Sequence, residues 1–331
     1  MNKKYNSEQR RQILLASGAG LMTAGLGLPA ISHASTTLRQ GFQTNMWGMP
    51  TYYMLKSGAL KKAGIDFEEF AVPSGNLTMQ QMVARQVDLG TYAGTSFAIG
   101  HDKGGLVAVA VIEYVGKTAS VMARKELNIT KVEQLKGLKI ANQTGSSIGN
   151  IFMNIVAPKY GLDKSSFTEV RMSVNDMVAA MSAKTVDAMV NVEPYNSISA
   201  ADGLATEVVN YWDFDRMPVV MAATPEFVDK NPDMVVGYLK AWLDVAKDFK
   251  SNPSKVSQVI YDFYKSKGYT MSRATLQKAV EKIDVNPQFP SDFDRYMQTQ
   301  AEILLKAKKI KAIPDWKKAL RPEFMQKAMK G

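Results

Sequence analysis

Several hydroxyl and amide side chains in this chain of 331 residues fall where an anion would need donors. Thr144, Ser146 and Ser147 lie in TGSSIGN (144–150), between a short apolar run, LKIAN, and a helical-looking run, IFMNIVAPKYG. A turn of small residues between strand and helix exposes backbone N–H groups, and hydroxyls at the helix start add donors suited to a sulfonate, nitrate or carboxylate. A plain serine cap accounts for only one of the two serines. Thr95 and Ser96, in YAGTSFA, repeat the arrangement earlier in the chain. A nucleotide phosphate loop is ruled out: there is no GxxxxGK[ST], and Asn150 follows Gly149 where such a loop has its lysine.

Other candidates fall on loops that follow apolar runs. Gln43 and Asn45 precede Trp47, whose ring can flank the apolar part of a ligand or pack beneath a helix. Ser74 and Asn191 lie on two further loops expected at the cleft, 74–76 and 191–195. Glu193 is the one acid among them. It pairs either with a cationic group on the ligand or with Arg171, because beside a simple anion an unpaired carboxylate would repel it.

The same inventory argues against catalysis. There is no cysteine, so disulfides, thiolate metal sites and thiol nucleophiles are out. His33 and His101 are the only histidines, too few for a metal cluster or a Ser-His-Asp set, and no Gly-x-Ser-x-Gly elbow is present. Asp88 and Asp187 read as turn or cap residues rather than an acid–base pair. The expectation is a non-enzyme that needs no cofactor or metal.

These residues need elements to position them, and the chain supplies the same set twice. From Leu38 the order is strand (LRQGFQ), loop, helix (TYYMLKSGALKKAG), strand (IDFEEFAVP), helix (NLTMQQMVARQ) and VDLGTYAGTS. From Leu138 it is strand (LKIANQ), loop, helix, strand (FTEVRMS), helix (DMVAAMSAKT) and VDAMVNVEPY. Two β-α-β-α-β units give two mainly parallel sheets, whose carboxyl-end loops face each other across a cleft. TASVMAR and MPVVMAATP are the strands expected to carry the chain between lobes. After them, Val235, Leu239, Trp242, Ala246 and Phe249 mark an amphipathic helix. Further helices are expected over 253–267, 272–283, 293–310 and 315–329. The lobes are expected at 35–119 plus 220–331 and at 120–219.

Residues 1–34 read as an export signal. Lys3, Lys4, Arg10 and Arg11 precede an apolar, Gly/Ala-rich run that ends in Ser32-His33-Ala34. Arg10-Arg11 resembles a twin-arginine signal, although Gln9, Ile13 and Leu15 depart from its usual pattern. A general secretory signal or an uncleaved anchor are the alternatives. The chain carries 41 Lys+Arg against 31 Asp+Glu, +10 net. Without residues 1–34, which hold four of those cations and Glu8, the balance is +7. The basic residues fall on polar helix faces, so nucleic acid is not expected as a partner, while the positive field favours anions.

With AVPSGNLTMQQMVARQVDLGTYAGTSFAI, VEQLKGLKIANQTGSSIGN, AAMSAKTVDAMVNVEPY and ATPEFVDKNPDMVVGYLKAW in view, the chain resembles the periplasmic substrate-binding proteins of ABC importers that take aliphatic sulfonates, nitrate, taurine and thiamine precursors. The likeness covers residues 38–260. It implies an α/β clamshell of the type II periplasmic-binding-protein kind, with two lobes, two chain crossovers and a helical C-terminal region. It implies capture of a small, anionic organic solute and delivery to an ABC permease and its ATPase, by a periplasmic monomer that touches the membrane only through that permease. It carries site roles to Gly94-Thr95-Ser96, Gly145-Ser146-Ser147 and Glu193-Pro194-Tyr195. Where the family often has an aspartate and a proline, this chain has Ser96 and Phe97. An enzyme of pyrimidine synthesis on the same fold, or a sensing partner of a membrane signalling protein, are the alternatives.

Overall fold

The computed structural model describes residues 36–330; the export-signal reading of 1–34 lies outside the described residues. The strands are β1 (Leu38–Gln43), β2 (Phe67–Val72), β3 (Leu89–Ala93), β4 (Val107–Tyr114), β5 (Ala119–Arg124), β6 (Lys139–Asn142), β7 (Thr168–Arg171), β8 (Ala188–Val192), β9 (Ala205–Asn210), β10 (Pro218–Ala223) and β11 (Asp284–Gln288). They form two sheets, ordered β11-β4-β10-β3-β1-β2 and β7-β6-β8-β5-β9.

The two sheets share one plan. The order β2-β1-β3-β10-β4 in the first matches β7-β6-β8-β5-β9 in the second. Within each repeat the ladders are parallel, β1 with β2 and β3, β6 with β7 and β8. The fourth strand of each sheet arrives from the other and inserts antiparallel. The sheets are therefore mixed: parallel where helical crossovers join the strands, antiparallel where the chain enters from the other lobe. The crossings themselves sit just ahead of β5 and β10 rather than within them. There the two segments lie side by side, with Val115 N donating to Met217 O at 3.2 Å and Gly116 N to Arg216 O at 2.8 Å.

Asp88 and Asp187 are corrected by the structure. Neither caps a helix or makes a turn; each fastens one strand to the next. The Asp88 carboxylate accepts from Arg39 N at 3.0 Å while its own N–H donates to Arg39 O at 2.9 Å. Asp187 repeats this with Lys139, at 2.9 and 2.8 Å. Arginines complete both clamps, Arg39 on Asp88 and Arg124 on Asp187. A carboxylate that accepts several N–H groups at a strand start is well satisfied and leaves nothing for acid–base work.

The helix Pro232–Ser251 buries Val235, Leu239, Trp242 and Ala246 as their spacing requires. It is followed by Pro253–Ser266, Arg273–Glu281 and Phe293–Lys306. The single helix expected over 315–329 is two, Trp316–Ala319 and Pro322–Lys330. Between them Leu320 bridges to Ala108 and Arg321 N donates to Ala108 O at 2.8 Å, so the edge of β4 draws the chain straight before Pro322 opens a new helix. Strands β4, β9 and β11 have no counterpart in the sequence reading. β11 contains Pro287 and lies at the sheet edge, where a missing N–H costs no ladder bond.

Candidate functional site

TGSSIGN turns out to hold two serines with different tasks. Gly145 takes φ +85, a left-handed conformation that glycine adopts freely. Ser146 is the cap: its Oγ accepts from Gly149 N at 3.2 Å and donates to Gln143 O at 2.7 Å. Gly149 lets the helix close down on β6, since a Cβ there would lie 2.5 Å from Gln143 O and 2.8 Å from Asn142 Oδ1. The helix runs through Ser147–Ile151, a π-helical turn over Phe152–Val156, and Ala157–Lys159. Ser147 points across to the other lobe. Its Oγ accepts from Thr95 Oγ1 and lies 3.2 Å from Ser96 Oγ.

The jaws close over a small polar cavity lined by Gln43, Asn45, Trp47, Ser74, Gly75, Asn76, Ala93, Ser96, Gln143, Ser146, Ser147, Ile148, Val174 and Val192. Its volume, about 20 Å³, is that of a water-sized body. The lining carries no formally charged side chain. It carries donors instead. The Gln43 amide nitrogen is buried with no hydrogen-bond partner among the described residues. The helices Gly75–Val83 and Gly94–Gly104 start at the wall, and the first N–H groups of a helix have no intrahelical acceptor. Asn45 Oδ1 accepts from Trp47 N at 3.0 Å, and the Trp47 indole donates to Thr118 Oγ1 in the crossing segment at 2.5 Å.

Outward, the cavity shares Ser74, Asn76, Gln143 and Ser146 with a vestibule of about 540 Å³ that also meets Arg171, Met172 and Ser173. Thr144 belongs here, not to the inner cavity; its hydroxyl donates to Glu169 Oε1 at 2.8 Å.

Two candidates are turned away from the cavity. Asn191 is fully buried and spends its amide on Val174 O (3.1 Å) and Val192 N (2.8 Å), holding one loop to its own strand. Glu193 is paired, but not with Arg171. Its Oε1 accepts from Lys282 Nζ at 2.6 Å and its Oε2 from Ser197 N at 3.0 Å. Arg171 is exposed, and its one ion pair among the described residues is with Glu169, at 3.9 Å. Sequence reasoning missed Lys282 because it lies 89 positions from Glu193. Gln143 was missed although a signal exists: LRQGFQ and LKIANQ, the repeat-equivalent strand segments, end in Gln43 and Gln143. Thr118 gave no local signal.

Beside the cavity, burial raises the Tyr195 hydroxyl above its ordinary range, and it donates to Asn175 Oδ1 at 2.6 Å. Among the described residues no paired acid and base lines the cavity.

A family model described as NMT1/THI5 like matches residues 45–256. The chain belongs to this family. It is 23% identical over 269 residues to a protein of Brachyspira hyodysenteriae named an ABC transporter periplasmic binding protein, covering 75% of each chain. It is 25% identical over 232 residues to a protein of Escherichia coli named an aliphatic sulfonates-binding protein, covering 69% of this chain and 72% of that one. In fold it is similar to the alkanesulfonate-binding protein SsuA of Xanthomonas axonopodis pv. citri, bound to MOPS. The TM-score is 0.76 at 17% identity, over 86% of this chain and 98% of the other. The fold also occurs in an enzyme, the desulfurization enzyme DszB, with TM-score 0.68 at 13% identity, over 89% and 99%. This chain is thus similar in fold both to a binding protein and to an enzyme.

Proposed function

We propose that this protein is an extracytoplasmic solute receptor that captures a small organic anion, a sulfonate or carboxylate, between its lobes and delivers it to an ABC permease and its ATPase. It works in the periplasm as a monomer, exported by the leader in residues 1–34. The lobes are those of 35–119 with 220–331 and of 120–219, in keeping with the allotment of strands to sheets.

One observation carries the reading: a cavity made of neutral donors and helix N-termini from both lobes, with no acid in its lining and its nearest buried acid, Glu193, already neutralised by Lys282. Fixed N–H and O–H dipoles hold a fully ionised anion well and leave a neutral or cationic solute poorly matched. The name of one relative, an aliphatic sulfonates-binding protein, supports the same solute class. Catalysis has no support in the site, whose lining offers no proton donor and acceptor in a pair.

The test is thermal unfolding with a panel of alkanesulfonates, taurine, nitrate, aromatic carboxylates and pyrimidines. A ligand at about a hundred times Kd stabilises by about 2.7 kcal/mol, a shift of a few degrees. A shift with one of the anions and no turnover supports the receptor. A flat panel together with turnover of any member overturns it.

A further inference from the structure

Beside the crossing segments lies a groove of about 680 Å³, within the size range of small-molecule sites and separate in lining from the polar cavity. We propose that it is a second ligand site, one that takes an organic anion with a flat aromatic body.

Its walls come from both lobes. Ile155, on the helix that follows β6, and Phe214 form one side. Phe293, Tyr296 and Ile303, on the Phe293–Lys306 helix, form the other, with Phe293 and Tyr296 stacked at 5.9 Å and 15°. Such rings accept an aromatic guest in offset or edge contact.

The charge of the groove follows from who is already engaged. The Asp215 carboxylate is buried and accepts from Tyr296 OH (3.0 Å to each oxygen), Gln300 Nε2 (2.9 Å) and Met217 N (2.7 Å). It is a tie in the floor, not a free anion. The cations are uncommitted. The Arg216 guanidinium and Lys117 ammonium lie over the Trp212 ring at 5.2 and 4.6 Å, and Lys159 lies 4.5 Å from the Phe214 ring. None of the three forms an ion pair among the described residues. Of the three only Arg216 is in the lining, which also holds one exposed carboxylate, Asp292. An aromatic wall with Arg216 in it, and with Lys159 stacked on its Phe214, favours an anion whose apolar part is a ring over an organic cation.

The experiment is isothermal titration of the purified protein with naphthoate and, separately, with naphthylmethylammonium. The expected result is saturable one-to-one binding of naphthoate and none of the cation. Arg216→Gln weakens naphthoate about tenfold or more, the scale of one charge-assisted contact. Thr299→Trp, at an exposed position in the lining, fills the groove and abolishes binding. Ser96→Trp, which blocks the polar cavity, leaves naphthoate affinity unchanged, so this site stands or falls apart from the receptor reading. Absence of naphthoate binding overturns the proposal. So does binding that survives both groove variants, binding lost with Ser96→Trp, or equal binding of the cation.

Discussion

Lys282, one residue past the end of the Arg273–Glu281 helix, sets its ammonium 2.6 Å from the Glu193 carboxylate, which is only 1% exposed. The C-terminal helices thereby neutralise an acid at the carboxyl end of β8, in the opposite lobe. Lys282→Met leaves that carboxylate buried with Ser197 N–H as its remaining donor. The lysine is 38% exposed, so solvent screens part of the pair, and the expected loss is about 1–3 kcal/mol. Urea unfolding at neutral pH measures it. Adding Glu193→Gln to the variant restores most of the loss, and a midpoint that Lys282→Met does not move refutes the account.

The two serines of TGSSIGN separate by readout. Ser146→Ala removes a cap and costs about 1 kcal/mol of stability, seen as a lower unfolding midpoint. Ser147→Ala removes the hydroxyl that meets Thr95 and Ser96 and lowers affinity for the solute about tenfold or more, measured by titration with whichever anion shifts the melting point. Unchanged affinity in Ser147→Ala returns that serine to a purely structural role.

Trp47 ties a cleft loop to the crossing segment through Thr118. Trp47→Phe keeps the ring wall and loses the 2.5 Å bond, while Thr118 retains Val115 O as its own acceptor at 2.7 Å. The loss is about 1 kcal/mol, since no acceptor is left stranded without any partner. Differential scanning calorimetry of the two proteins gives the number; a loss of several kcal/mol means the indole does more than this bond.

Glu113, on β4, is 1% exposed and its Oε2 has no hydrogen-bond partner among the described residues. Burial raises its pKa well above the ordinary 4.5. A raised folded-state pKa means stability that is complete below the unfolded value and declines as pH rises through the folded one. Glu113→Gln removes that decline. Urea midpoints followed from acid to alkaline pH converge for the two proteins at the acid end, and the variant is the more stable at the alkaline end. Parallel curves show that Glu113 does not titrate in the fold.

The repeated strand–helix plan was legible because strand and helix periods and glycine stops are local signals. Thr144, Ser146 and Ser147 were legible for the same reason, as a turn between two recognisable elements. What was not legible depended on distance along the chain. The partner of Glu193 came from the C-terminal helices. The clamps formed by Asp88 and Asp187 required the register of β1 and β6. β11, with its proline and polar residues, is a strand only because β4 offers it an edge. Which serine caps and which reaches across the cleft is a matter of helix phase, and one residue of phase lies beyond pattern reading.

A cavity walled without formal charge has a consequence for the medium in which it works. Attraction between separated charges is screened over about 8 Å at physiological ionic strength, whereas fixed dipoles in contact with an enclosed anion are not. The bound state is therefore nearly indifferent to salt. Arg171, exposed in the vestibule, is where salt acts, on the rate of arrival rather than on the depth of the well. If the protein is the anion receptor proposed above, salt changes its loading time and leaves its occupancy constant.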